Sequence, residues 1–119
     1  MSILVTAYRK RTCSFTVTVS DAVGGAVVFS DDVMRIKIGR SGETPLLDLD
    51  NVVASANGST VSAANPTTVR LDQDDLDITP GILDFEVGLV DDQDSNAFKH
   101  SEKGVIAVHN TMTGDIGTT

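Results

Sequence analysis

The sequence predicts a small acidic all-β domain, an antiparallel β-sandwich or a squashed barrel of about eight short strands. Three observations predict it. Residues 82–90 alternate cleanly, with Leu83, Phe85, Val87 and Leu89 on one side and Asp84, Glu86 and Gly88 on the other, the period of a strand with one dry and one wet face. Similar short apolar segments recur between turn signals along the whole chain. The composition is rich in Val, Thr, Ser and Asp and poor in Lys and Glu, which favours strands and turns over helices.

A chain of 119 residues is long enough for one core and too short for two ordinary domains. Aromatic residues make up 4% with no Trp, so the core must be built from Val, Ile, Leu and Ala. Residues 1–10 read as an N-terminal arm, 11–110 as the domain and 111–119 as a polar tail.

Taken in order, residues 11–19 form the first confident strand, with Cys13, Phe15, Val17 and Val19 on one face. Gly24-Gly25 makes a turn into a short strand at 26–29. In the strand at 33–39, Met34, Ile36 and Ile38 point inward and Arg35 and Lys37 outward. A polar loop over 40–45 follows, and 46–53 reads as a strand broken near Asp50-Asn51. Asn57-Gly58 is a turn dipeptide, best known from two-residue hairpins, before a short strand at 59–63. Asn65-Pro66 ends that strand. Residues 67–71 form the next, with Val69 and Leu71 inward.

One helical turn is expected at 72–77, too short to stand alone. Pro80-Gly81 suits a type II turn into the alternating strand at 82–90. Residues 91–96 are a hydrophilic hairpin loop, and 97–110 the returning strand, with Gly104 as the candidate bulge.

The composition argues against several function classes. A net charge of −8 leaves no basic footprint for nucleic acid. No apolar run approaches the roughly 20 residues of a membrane span. Residues 1–6 are too short for a leader core, and Arg9-Lys10-Arg11 follows them instead of preceding them, so no signal peptide is expected. The lone Cys13 excludes an internal disulfide and reads as a structural thiol.

Sites for metals and catalysis are also weak. Asp92–Asn96 imitates the start of a calcium loop, but Ala97 stands where Gly is needed and Lys103 where Glu is needed. His100 and His109 lack the partners of a zinc site. No nucleophile elbow or phosphate loop is present, and the alternating acids Asp84 and Glu86 carry no specific signal. The expectation is a protein that is not an enzyme and needs no cofactor.

Positive charge gathers at Arg9–Arg11 and at Arg35, Lys37 and Arg40, while acids dominate from Glu43 onward. This asymmetry suits packing against another copy or another protein; a solvated surface accounts for it equally well. Strand edges need either protection or a partner. The candidate docking residues are Ile3, Val5, Tyr8, Arg9, Lys10 and Arg11 in the arm, and Thr111 and Thr113 in the tail, with frayed termini as the ordinary alternative.

The order of features also carries a resemblance. A Thr/Val strand at 12–19 leads to Ser20-Asp21 and Gly24-Gly25. After Val69-Arg70-Leu71 and an acidic turn comes Phe85-Glu86-Val87-Gly88-Leu89-Val90-Asp91, then a last strand opening Gly104-Val105-Ile106-Ala107-Val108. Over roughly residues 12–111 this resembles the small immunoglobulin-like virion domains of tailed bacteriophages, in particular the N-terminal domain of phage baseplate upper proteins. The segment 39–53 is longer and more polar than in that family.

The resemblance implies an immunoglobulin-like β-sandwich with a structural role, made in the host cytoplasm and incorporated in the virion. It would self-associate or dock on capsid, portal or neck, tail or fibre subunits, as a fibre, spike or baseplate adaptor or as a capsid decoration protein. The alternative is a carbohydrate-binding module for host attachment. The absence of Trp and the single Tyr8 speak against it, because sugar sites usually use aromatic platforms.

Overall fold

A computed structural model of the chain describes residues 3–30 and 32–110. These residues hold eight strands and no helix: β1 (Ile3–Tyr8), β2 (Cys13–Val17), β3 (Val33–Gly39), β4 (Leu47–Asp50), β5 (Thr60–Val61), β6 (Thr67–Leu71), β7 (Gly81–Val90) and β8 (His100–His109). Five form a sheet in the order β1-β8-β7-β3-β4, and three form a second sheet in the order β2-β6-β5. Neighbours are antiparallel except β1, which runs parallel to β8 with Ile3 opposite Gly104 and Tyr8 opposite His109.

The alternation that predicts β7 also builds the core. Leu83, Phe85, Val87 and Leu89 are buried, as are Met34, Ile36 and Ile38 of β3. Val17 of β2 with Val69 and Leu71 of β6 close the same core from the second sheet. Phe15 of β2 and Phe85 of β7 meet across the two sheets, their rings 5.4 Å apart and tilted by 47°. Each fully buried aliphatic side chain of this kind contributes about 1.5–3 kcal/mol, so β7 and β3 anchor the fold.

Several expectations change. The arm expected at 1–10 is built into the five-stranded sheet over Ile3–Tyr8, and Val5 and Ala7 belong to the core. The strand expected at 26–29 does not form. An isolated bridge joins Ser20 to Ala26, and Asn65 takes the place of a neighbouring strand. Its Oδ1 accepts from Val19 N at 2.9 Å, while its Nδ2 donates to the carbonyls of Val19 and Val27. A side-chain amide thus satisfies this backbone where a ladder would.

The segment 72–77 forms the single turn expected of it: Leu76 N donates to Asp72 O at 3.2 Å, one i→i+4 bond that the short segment does not propagate into a helix. Gly81 has φ +149°, away from the value near +80° of a type II turn. Arg40 Nη2 instead donates to the carbonyl of Thr79 at 2.6 Å.

The bulge expected at Gly104 is absent, since β7 and β8 stay in one register from Gly81 opposite Val108 to Leu89 opposite His100. Gly104 is required for room: a Cβ there would lie 2.6 Å from the Phe85 ring and 2.4 Å from the Ile3 carbonyl oxygen.

Asn57-Gly58 does not join two strands of one sheet. It closes the corner between β4 and β5, which lie in different sheets, with Gly58 at φ +95°. Asp75 holds that corner to the turn after β6. Ser55 Oγ donates to it at 2.6 Å and Asn57 Nδ2 at 2.8 Å, and the fully buried Ser59 donates as well. Burial pushes the Asp75 carboxyl up, but the three hydrogen bonds outweigh it and hold the group below its ordinary value of 3.8.

A depressed carboxylate contributes stability that is fully present above about pH 4 and is lost as pH falls through its lower folded value. Asp75→Ala strands the Ser59 hydroxyl and is expected to cost about 1–3 kcal/mol at neutral pH. The difference from wild type should shrink as pH falls below about 4, as urea melts at several pH values would show.

Candidate functional site

The outer face of the five-stranded sheet divides into two halves of different chemistry. The register places Arg35, Lys37, Asp48, Asp50, Glu86 and Ser101 on one half. Two pairs form among these groups. Arg35 Nε and Nη2 donate to the two oxygens of Asp48, each at 2.8 Å, and its Nη1 donates to the carbonyl of Ser95. Ser101 donates to Glu86 at 2.6 Å. The loop after β7 folds back here, with Lys37 Nζ 5.9 Å from the centre of the Phe98 ring. The fork-to-carboxylate geometry is the stronger kind of surface ion pair.

The other half carries fewer charges, with the exposed Asp84 of β7 beside Val105. Leu4 faces outward beside Val105, and Thr6 beside Ala107 and Ile82. Leu4 is 69% exposed and Ile82 57%. Tyr8, 47% exposed, ends the row with its ring 5.8 Å from that of His109. The strip lies along β1, whose only neighbour in the sheet among the described residues is β8. On the side of β1 away from β8, the Tyr8 carbonyl accepts from Arg11 N at 3.1 Å and the Cys13 thiol lies 3.9 Å from the Thr6 carbonyl, so recognition here would rest on the exposed side chains and not on strand pairing.

The predicted docking residues distribute unevenly over this surface. Tyr8 lies on it. Val5 is buried and Ile3 packs against the core, because odd positions of β1 face inward. Neither presents a side chain to a partner. Arg9 at the end of β1 pairs with Asp77, Nε donating at 3.2 Å. Lys10 turns the chain at φ 63°. Arg11 is exposed, its N–H donating to the Tyr8 carbonyl at 3.1 Å. Thr111 and Thr113 lie outside the described residues. Sequence reasoning missed Leu4, Ile82, Val105 and Ala107; Ile82 carried the clearest signal, an apolar residue in phase with Asp84 and Glu86.

Chemistry elsewhere is sparse. A shallow groove of about 470 Å³ between the 40–45 loop and β7–β8 is lined by Lys37, Arg40, Lys103, Glu43, Asp84 and Glu86, among others, with Ser41 its hydroxyl and no His in its walls. Its charges balance, so it offers no concentrated field to an ionic ligand. A second, more enclosed crevice of about 230 Å³ opens beside Leu46, Leu76 and Ile78. Cys13 is half-buried, and burial pushes its thiol above the ordinary 9.0, the reverse of an activated nucleophile. Among the described residues no group of three or more His, Cys, Asp or Glu is placed to hold a metal ion, and no helix is long and apolar enough to cross a membrane.

No protein-family model matches the chain, and no curated protein matches it.

Proposed function

We propose that this chain is a non-enzymatic, immunoglobulin-like structural module of a tailed-bacteriophage virion, which docks on other virion subunits through the β1–β8 half of its outer sheet face. The observation that carries the docking reading is the row of exposed Leu4 and Ile82 with the half-exposed Val105 and Ala107, flanked by Asp84.

The strand order supports the immunoglobulin-like assignment. Taken in chain order, β2-β6-β5 corresponds to the B-E-D sheet, and β8-β7-β3-β4 to the G-F-C sheet with its added C′ strand. Phe15 and Phe85 meet between the two strands that carry the inter-sheet disulfide of antibody domains. The phage assignment rests on the sequence resemblance over residues 12–111. Within it, a fibre, spike or baseplate adaptor and a capsid decoration protein use the same surface. Glycan binding finds less support, since the one Tyr leans on His109 and gives no free platform.

Co-sedimentation of the labelled chain with tailed-phage particles tests this. The wild-type chain is expected to bind saturably. Leu4→Asp combined with Ile82→Asp should weaken binding by at least about tenfold, since a charge buried without a partner at an interface costs several kcal/mol. Both positions are exposed, so the melting temperature should stay near wild type. Absent binding, or binding indifferent to both substitutions, would count against the proposal.

A further inference from the structure

We infer that Asn57-Gly58 is a site of spontaneous deamidation that the hydrogen bonds around Asp75 hold closed, so that the chain is modified there when this corner opens. The inference is independent of the docking surface, which lies on the other sheet.

The sequence supplies the reacting pair. Of the five asparagines, only Asn57 precedes a glycine. Gly58 has φ +95°, and a Cβ there would meet nothing within 4 Å, so glycine serves the backbone conformation and not the space. Its missing side chain also leaves its nitrogen unhindered beside the carboxamide of Asn57. In the reaction, the Gly58 nitrogen gives its proton to solvent base and attacks Cγ of Asn57. The new C–N bond closes a cyclic imide, the bond from Cγ to Nδ2 breaks, and Nδ2 leaves as ammonia with a proton from water. A second water opens the imide to aspartate or isoaspartate. Water is the only co-reactant.

In the closed corner both reacting groups are held elsewhere. The leaving nitrogen, Nδ2 of Asn57, donates to Asp75 Oδ1 at 2.8 Å. The nucleophile, Gly58 N, donates to the Ser55 carbonyl at 3.0 Å. Ser55 is fixed in turn, since its Oγ donates to Asp75 Oδ2 at 2.6 Å and accepts from Ser59 N at 2.9 Å. Asp75 therefore restrains Asn57 directly and Gly58 through Ser55. Asn57 is exposed, so water and base reach it, and restraint rather than burial is what slows the reaction.

An exposed corner of this kind opens locally without the sheets parting, and reaction in the open form follows its population. The product does not restore the corner. A carboxylate at position 57 has no proton to donate and faces the Asp75 carboxylate, a like-charge contact. Isoaspartate also adds a methylene to the backbone of the turn.

Incubation of the full chain in mildly alkaline buffer, with mass spectrometry of the tryptic peptide 41–70, tests this. The modified peptide carries OH in place of NH2 at position 57. The urea-unfolded chain is expected to react at Asn57 at least about tenfold faster than the folded one. Asp75→Ala, which removes the acceptor of three hydrogen bonds, should speed reaction of the folded chain about tenfold or more. Asp75→Asn, with its oxygen kept toward the two serines and an amide nitrogen facing Asn57, should act in the same direction and serves if Asp75→Ala does not fold. Phe85→Leu loosens the core and not the corner, so its rate should stay within about twofold of wild type. Circular dichroism confirms that each variant compared is folded. Equal rates in the folded and unfolded wild type, a folded Asp75 variant no faster than wild type, or equal acceleration by Phe85→Leu would each overturn the inference.

Discussion

Phe85→Ala is expected to remove about 3–5 kcal/mol of stability, a large fraction of the roughly 5–15 kcal/mol available to a domain of this kind. Phe85 is 3% exposed in the middle of β7, and its ring spans the gap between the sheets to reach Phe15. On its other side stands Gly104, which has no side chain to fill the vacated space. The buried core to which it belongs holds no other fully buried aromatic residue and draws on all seven other strands, so little can collapse inward, and residual cavity volume is what makes such truncations costly. Phe85→Leu keeps most of the volume and should cost markedly less, about 1–2 kcal/mol. Chemical denaturation of the three proteins checks this. A loss below about 1 kcal/mol for Phe85→Ala, within the range of an ordinary substitution, would mean that the Phe15–Phe85 contact does not hold the sheets together.

Gly88→Ala is expected to be at least as damaging, costing about 3 kcal/mol or more, although it adds a single methyl group. A Cβ at position 88 would lie 2.1 Å from the carbonyl oxygen of His100 and 2.7 Å from Cα and Cβ of Ser101. The first two of these atoms are backbone, and Gly88 is paired directly with Ser101 in the β7–β8 ladder. Relief would require the two strands to part at the pair that links the long hairpin. Hydrogen exchange should show β7–β8 amides losing protection in the variant. A variant with wild-type stability and exchange would show that β8 passes Gly88 at a greater distance.

Where a strand has one wet face and one dry face, its sequence announces it. The bounds expected for 33–39 and 67–71 match β3 and β6 because strict alternation leaves one register that buries the apolar set. The segment 26–29 forms no strand although Val27 and Phe29 pack against the core and Val28 is exposed: an amide side chain 38 residues away, Asn65, takes the Val27 carbonyl where a strand would.

Gly104 misled because glycine in a strand serves either a bulge or a close approach, and only the position of the Phe85 ring decides between them. The parallel pairing of β1 with β8 could not be read at all, since it joins the two ends of the described chain and no turn connects them. That pairing determines which arm residues reach the surface. Within the arm, Ile3 and Val5 turn inward while Leu4, Thr6 and Tyr8 turn outward. Val105 and Ala107 were hidden inside an apolar run whose lack of alternation reads as burial on both faces, yet their outer face stands half-open.

A density map of tailed-phage particles assembled in the presence of this protein is the most direct test of the proposed docking. The account predicts copies at repeated positions, with Leu4, Ile82 and Val105 packed against a neighbouring subunit. A particle without the protein, or copies in which that strip faces solvent throughout, would contradict it.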